Sequence, residues 1–197
     1  MPRVFLSPSV QEFNPYLTGG TEEEYMNLVA DAIEPYLEAS GIEFDRNEPN
    51  ESLGEAINKS NAGEYDLHVA IHSNASGEGM AGTQQGPQMY YSPNSFYGTE
   101  FAKILEKNFR NIYPYPDKVK IVPTTTLREI RRTNAPASLI EVAYHDNYED
   151  EAWIKNNINL IGETIARSIS EYFGVPFVAP LASKANEDGF VVYNLII

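Results

Sequence analysis

The residue whose position most suggests chemistry is His72, one of only three histidines in the chain. It ends an apolar run and is followed at once by the polar pair Ser73 and Asn74, where a buried strand meets a loop. Imidazole transfers protons and binds metals near neutral pH, so a histidine at this point is placed to face a site. A core histidine with a hydrogen-bonded ring is the alternative, and His72 alone does not exclude it.

Glu141 is the second candidate, because it interrupts an otherwise apolar stretch over residues 139–142. Burying an unpaired carboxylate is costly, so an acid inside a strand needs a partner, a metal or a catalytic task. An ion pair with Arg131 or Arg132 is the structural alternative. Glu23, in the first turn of a predicted helix, is a weaker signal because acids favour helix amino termini in any case.

Three segments, residues 20–28, 65–75 (with IHSNA at its end) and 135–142, together resemble a known enzyme family. Over roughly residues 4–174 the chain resembles the zinc-dependent N-acetylmuramoyl-L-alanine amidases of bacterial autolysins, spore-lysis enzymes and phage endolysins. The resemblance implies hydrolysis of the amide between N-acetylmuramic acid and L-alanine in peptidoglycan. It also implies a three-layer αβα sandwich around a mostly parallel central sheet of about six strands.

The same resemblance implies a zinc ion as cofactor and assigns a role to each candidate. Glu23 and His72 match two of the zinc ligands, and Glu141 matches the catalytic glutamate. In that scheme zinc activates a water and polarises the substrate carbonyl. Glu141 takes the proton from the water and returns it to the departing alanine nitrogen.

The chain departs from the family pattern at the first zinc ligand. The family has a histidine in a loop after the first strand, whereas residues 7–14 here read SPSVQEFN and no histidine precedes His68. Gln11 is our candidate for the third ligand through its amide oxygen, with Glu12, or no third protein ligand, as alternatives. An oxygen-rich donor set should hold zinc less tightly than one with two histidines.

This departure keeps a second function class open, namely a metal-poor, inactive module that binds peptidoglycan without cutting it. Against that reading, a binding module has no need for the buried acid at Glu141. A carboxypeptidase-like zinc peptidase finds no support, because the sequence contains no His-x-x-Glu pair.

Other polar residues are expected near the site. His68 lies four residues before His72 and on the same side of its strand. We expect it to pack or hydrogen-bond next to the site without binding the metal itself. Four side chains could contact the carboxylates or amides of the stem peptide, namely Asn74, Arg131, Arg132 and His145.

The elements that must position these residues alternate between strands and helices, which is typical of an α/β fold whose ligands gather at the carboxyl ends of parallel strands. A helix should begin at Thr21, kink late at Pro35 and stop at Gly41, with capping boxes at Thr21 and Ser52. The predicted strands cover residues 4–6, 42–46, 67–72, 119–122 and 137–142, and further helices cover about 53–61, from 99 onward, and most of 149–173.

Composition sets the outer limits. A formal charge of −14 argues against a nucleic-acid partner, and the absence of cysteine excludes disulfides and thiolate ligands. No apolar run reaches the 18 or so residues of a membrane span, and the opening residues turn polar too early for a signal peptide. If the natural chain begins at Met1, we expect synthesis in the cytoplasm and release to the wall by another route, such as host lysis. We predict a catalytic domain over residues 1–175 and an extension or linker over 176–197 that could end in a strand.

Overall fold

The computed structural model describes residues 1–181, so the strand predicted near the carboxyl terminus lies outside the described residues. Just before that point, the chain folds back onto the domain. The Phe177 ring stacks on Tyr36 at 5.4 Å between centroids, and Arg167 lies over the same ring at 4.0 Å. Residues next to the predicted domain end therefore pack on the domain surface.

A six-stranded sheet forms the centre of the molecule, in the order β2-β1-β3-β6-β4-β5. All neighbouring pairs are parallel except β4 with β6, which is antiparallel. The α/β prediction and the mostly parallel sheet are thus confirmed, and the three strands expected to carry the site lie side by side at its centre. The strands are β1 (Arg3–Pro8), β2 (Glu43–Arg46), β3 (Leu67–Asn74), β4 (Gln88–Tyr91), β5 (Lys120–Pro123) and β6 (Ala137–Tyr144).

Helices cover both faces of this sheet. The helices are α1 (Glu22–Ala39), α2 (Leu53–Ala62), α3 (Phe96–Phe109), α4 (Arg128–Arg132), α5 (Tyr148–Asn156) and α6 (Ile158–Phe173), with a 3₁₀ turn at Pro116–Lys118. None of the helices in residues 1–181 is long and apolar enough to cross a membrane.

Capping residues explain where several helices begin, and some helix boundaries differ from the predicted ones. Ser52 forms both bonds of its capping box, and Thr21 accepts the Glu24 N–H at 3.2 Å. Helix α3 begins earlier than expected because Ser95 caps it, accepting the Gly98 N–H at 3.1 Å. The predicted helix over 149–173 divides at Asn157 into α5 and α6, and α1 continues through Pro35 to Ala39.

The two faces of the sheet differ in character. The larger core packs one face against α1, α3 and α6, with residues such as Leu6, Ile71 and Ile140 fully buried. The other face carries a small core around Ala70 and Ile130. Side chains alternate along a strand, so His68 and His72 share the face of Ala70, the side covered by α2 and α4.

Candidate active site

His72 stands at the centre of a buried polar cluster at the carboxyl end of β3. Its Nδ1 lies 2.8 Å from Glu22 Oε1, and its Nε2 lies 2.9 Å from Glu129 Oε2. Burial alone would lower the pKa of His72, but the hydrogen bonds to these two carboxylates outweigh it and raise that pKa well above 6.5. The His72 ring is therefore held between two buried carboxylates.

Glu22, and not its neighbour Glu23, is the acid that reaches His72. Glu22 is 1% exposed, and its Oε2 accepts the Asn14 amide N–H at 2.7 Å. Burial raises its pKa, but the bond to His72 more than offsets this, so the net shift is downward. Successive residues on a helix point about 100° apart, so a one-residue change at the start of α1 exchanges the acid that faces inward. The geometry moves the ligand proposal from Glu23 to Glu22.

Gln11 completes this side of the cluster. Its amide Nε2 lies 3.2 Å from Glu22 Oε1 and 3.2 Å from His72 Nδ1, so the three side chains meet at one point. Gln11 Nε2 donates to Glu22 Oε1 and Gln11 Oε1 accepts from Asn14 Nδ2 at 3.2 Å, so presenting Oε1 to the cluster would take a half-turn of the amide. Glu12, the alternative ligand, is exposed on the same loop.

Glu141 lies beside His72 on the neighbouring strand, since the two residues are register partners in the parallel pair β3–β6. Part of the side chain is open to solvent, but Oε2 is buried and has no hydrogen-bond partner within residues 1–181. Burial raises the pKa of Glu141 to about 7. His72 opposes the rise, while the charges of Glu22 and Glu129 add to it. A carboxyl group with this pKa exchanges protons readily at neutral pH.

Asn74 belongs to a polar rim next to Glu141. A register shift separates it from His72 at the end of β3, and its Nδ2 donates to Gln88 Oε1 at 3.4 Å. Gln88 also accepts from the Tyr90 hydroxyl at 2.6 Å, and it is the antiparallel register partner of Glu141. Asn74, Gln88 and Tyr90 therefore form a hydrogen-bonding surface at the edge of the site.

The remaining predicted contacts are not brought to the cluster. His145 is 3% exposed, and its Nδ1 lies 3.0 Å from Ser73 Oγ, which ties the loop after β6 to β3. Arg131 and Arg132 are exposed on α4, and no ion pair in residues 1–181 joins either to Glu141. Arg132 lines a cleft between α2 and α4, together with Gly54, Ile57, Asn58, Asn61 and Arg128.

Sequence reasoning missed Glu129, which faces His72 from the side opposite Glu22. It is 3% exposed and lies on the five-residue helix α4, in a charged run, REIRR, that reads as a solvated surface. The one signal for its burial is the pair of apolar residues around it, Leu127 and Ile130, which pack in the small core. A helix of this length has too few turns to show periodicity.

The charge of the cluster favours a cation. Three acids, Glu22, Glu129 and Glu141, surround one imidazole, and within residues 1–181 no lysine or arginine pairs with any of them. No three acidic or imidazole side chains in this part of the chain are grouped closely enough to hold a metal. Glu22 Oε1 and His72 Nδ1 are two donors of the kinds that bind zinc, and the Gln11 amide would add a third only with its oxygen turned toward them.

This fold is that of amidase catalytic domains. CwlV from Bacillus (Paenibacillus) polymyxa superposes with a TM-score of 0.76 at 22% identity, covering 89% of this chain and 100% of its own. AmiC2 of Nostoc punctiforme gives 0.75 at 18% identity, covering 88% and 97%. The catalytic domain of the CD27L endolysin, which targets Clostridia difficile, gives 0.69 at 20% identity, covering 87% and 98%.

A family model described as N-acetylmuramoyl-L-alanine amidase matches residues 14–171. The chain therefore belongs to the N-acetylmuramoyl-L-alanine amidase family. Comparison with curated protein sequences gives no match.

Proposed function

We propose that this protein is a zinc-dependent hydrolase of peptidoglycan that cleaves the amide between N-acetylmuramic acid and L-alanine. Membership of the amidase family supports the substrate class. The observation that carries the proposal is Glu141, which lies beside His72, has a pKa of about 7 and has a buried oxygen without a hydrogen-bond partner among residues 1–181. A wall-binding surface alone would gain nothing from the cost of burying that group.

Glu22, His72 and Gln11 are the residues that would hold the metal. When bound there, zinc would supply electrophilic assistance to the scissile carbonyl and a water of lowered pKa. The neutral amide of Gln11 replaces the imidazole implied by the family resemblance, so we expect a weaker site that needs free zinc in the assay.

Glu141 carries the proton in this mechanism. Its Oε2, which no side chain of the described part of the chain engages, accepts a proton from the attacking water and then delivers it to the alanine nitrogen, which leaves poorly unless protonated. Burial raises the pKa of Glu141, and a carboxyl group with a raised pKa is suited to take a proton as base and return it as acid.

Two surfaces are proposed to orient the substrate. Asn74, with Gln88 and Tyr90, offers amide and hydroxyl groups to the peptide backbone next to Glu141. Arg132, with Arg128, offers positive charge to stem-peptide carboxylates at the α2–α4 cleft. The contacts of His145 favour a structural role, and Arg131 lies outside the cleft lining.

The second candidate is an inactive module that binds peptidoglycan, favoured by Gln11 in place of a histidine. The two are separated by incubating purified sacculi with protein and zinc and measuring free stem peptides by mass spectrometry, with a chelator-treated sample as control. We expect release of peptides with a free L-alanine amino terminus, and only with zinc. Binding to sacculi without any such release would favour the module.

A further inference from the structure

We propose that Glu129 is a positioning residue that fixes the tautomer and orientation of His72, so that Nδ1 is the nitrogen offered to the metal. The inference rests on the proposed metal-binding role of His72. It concerns a residue outside the proposed ligand set, which acts through the imidazole.

The geometry follows from hydrogen-bond chemistry. An ionised carboxylate only accepts hydrogen bonds, so Glu129 Oε2, at 2.9 Å, requires a proton on His72 Nε2. Glu22 Oε1 lies just as close to the other nitrogen, at 2.8 Å, so it is a metal held by Glu22 that would replace the proton there. That nitrogen, Nδ1, is the one that meets Glu22 Oε1 and the Gln11 amide. Glu129 therefore selects the tautomer whose lone pair points to the proposed ligand set.

Glu129 is itself held firmly. Its Oε1 accepts the Ser7 hydroxyl at 2.6 Å and lies 3.3 Å from His68 Nε2, while His68 Nδ1 lies 2.9 Å from Ser60 Oγ. The carboxylate is thus bound from β1, β3 and, through His68, α2. These hydrogen bonds hold the Glu129 carboxylate in a fixed position beside His72.

The short helix α4 explains how the carboxylate reaches this place. Ile130 packs in the small core with Ala70 and anchors the helix against the sheet. Glu129 turns inward, while its neighbours Arg128 and Arg131 stay exposed. The histidine expected to support His72, His68, instead supports Glu129, and it does so from the same strand as His72.

The first test is Glu129→Gln, which keeps the shape but replaces the anion with an amide that can donate to Nε2. We expect zinc affinity, measured by chelator competition, to fall by about 10–100-fold, as for partners behind other metal-bound histidines. The matched control is Ser7→Ala, which removes one bond to Oε1 and leaves the His72 contact. We expect it to change zinc affinity by no more than about threefold. Equal losses in the two variants, or none in Glu129→Gln, would overturn the inference.

A second measurement needs no variant. Nitrogen-15 NMR of the zinc-loaded wild type should show the His72 proton on Nε2, and a proton on Nδ1 would overturn the inference even if Glu129→Gln failed to fold. Neither readout uses amidase activity. A wild type that binds zinc but never cleaves peptidoglycan would count against the proposed function alone. A wild type that binds no zinc would overturn both.

Discussion

His72 and Glu141 are direct neighbours across the parallel pair β3–β6, at the carboxyl end of the sheet. Register partners project from the same face, so the imidazole and the carboxyl group border one space. The amino terminus of α1 then brings Glu22 to the other side of the imidazole. The site is thus assembled from three elements that the sheet holds in fixed order, and its function can be tested one residue at a time.

Glu22→Gln should lower zinc affinity by at least about 100-fold, more than is typical for a residue that only supports a ligand. The physical reason is that the buried acid at His72 Nδ1 is Glu22. Glu23→Gln is the matched control on the same helical turn and should stay within about threefold of wild type. Chelator competition measures both, and a larger loss for Glu23→Gln would restore Glu23 as the ligand.

The sequence indicated Glu23 as the acid at the site, whereas in the structure its neighbour Glu22 contacts His72. Residues 22–24 are all glutamate, and periodicity identifies the helix but not which of three adjacent acids faces inward. That choice depends on the path of the preceding loop. There Glu22 N donates to the Asn14 carbonyl at 2.9 Å and Asn14 Nδ2 donates to the Glu22 carboxylate. Such loop contacts are tertiary and leave no spacing pattern.

Gln11→His should tighten zinc binding by at least about tenfold, or about 1.4 kcal/mol. An imidazole nitrogen is a better zinc donor than a neutral amide, and the Gln11 side chain already lies 3.2 Å from both Glu22 and His72. Gln11→Ala should weaken binding instead. The same competition assay measures both variants. If Gln11→Ala bound zinc as tightly as wild type, the third ligand would not be Gln11.

Glu141→Gln should stabilise the metal-free protein at pH 8 but hardly at pH 4.5. The folded-state pKa of Glu141 is raised from 4.5 to about 7. The fold therefore disfavours the charged form, and wild type loses stability as pH rises through that window. The glutamine variant does not titrate and lacks this loss. The difference in free energy of unfolding between variant and wild type should therefore grow by about 2–3 kcal/mol from pH 4.5 to pH 8, a figure already lowered because the side chain is partly exposed. Urea unfolding with a chelator present measures it, and an advantage independent of pH would contradict the burial of the carboxyl group.

The strands were the most predictable part of the fold, because continuous apolar runs such as 67–72 and 137–142 are typical of buried strands. The antiparallel pairing of β4 with β6 was not predictable, since it depends on how the chain between β3 and β4 returns to the sheet. The burial of Glu129 beside His72 could not be predicted for a related reason. Helix α4 is too short to show a periodic pattern, and only the tertiary fold brings this acid to His72.

The central claim is that Glu141 carries the proton in amide hydrolysis. The direct measurement compares Glu141→Gln with wild type, both zinc-loaded, in the rate of stem-peptide release from peptidoglycan. The variant keeps size and hydrogen-bonding reach but has no basic form. We predict unchanged zinc content and a rate about 10²–10⁴-fold lower. Cleavage by Glu141→Gln at the wild-type rate would contradict the account and leave Glu141 as a structural acid.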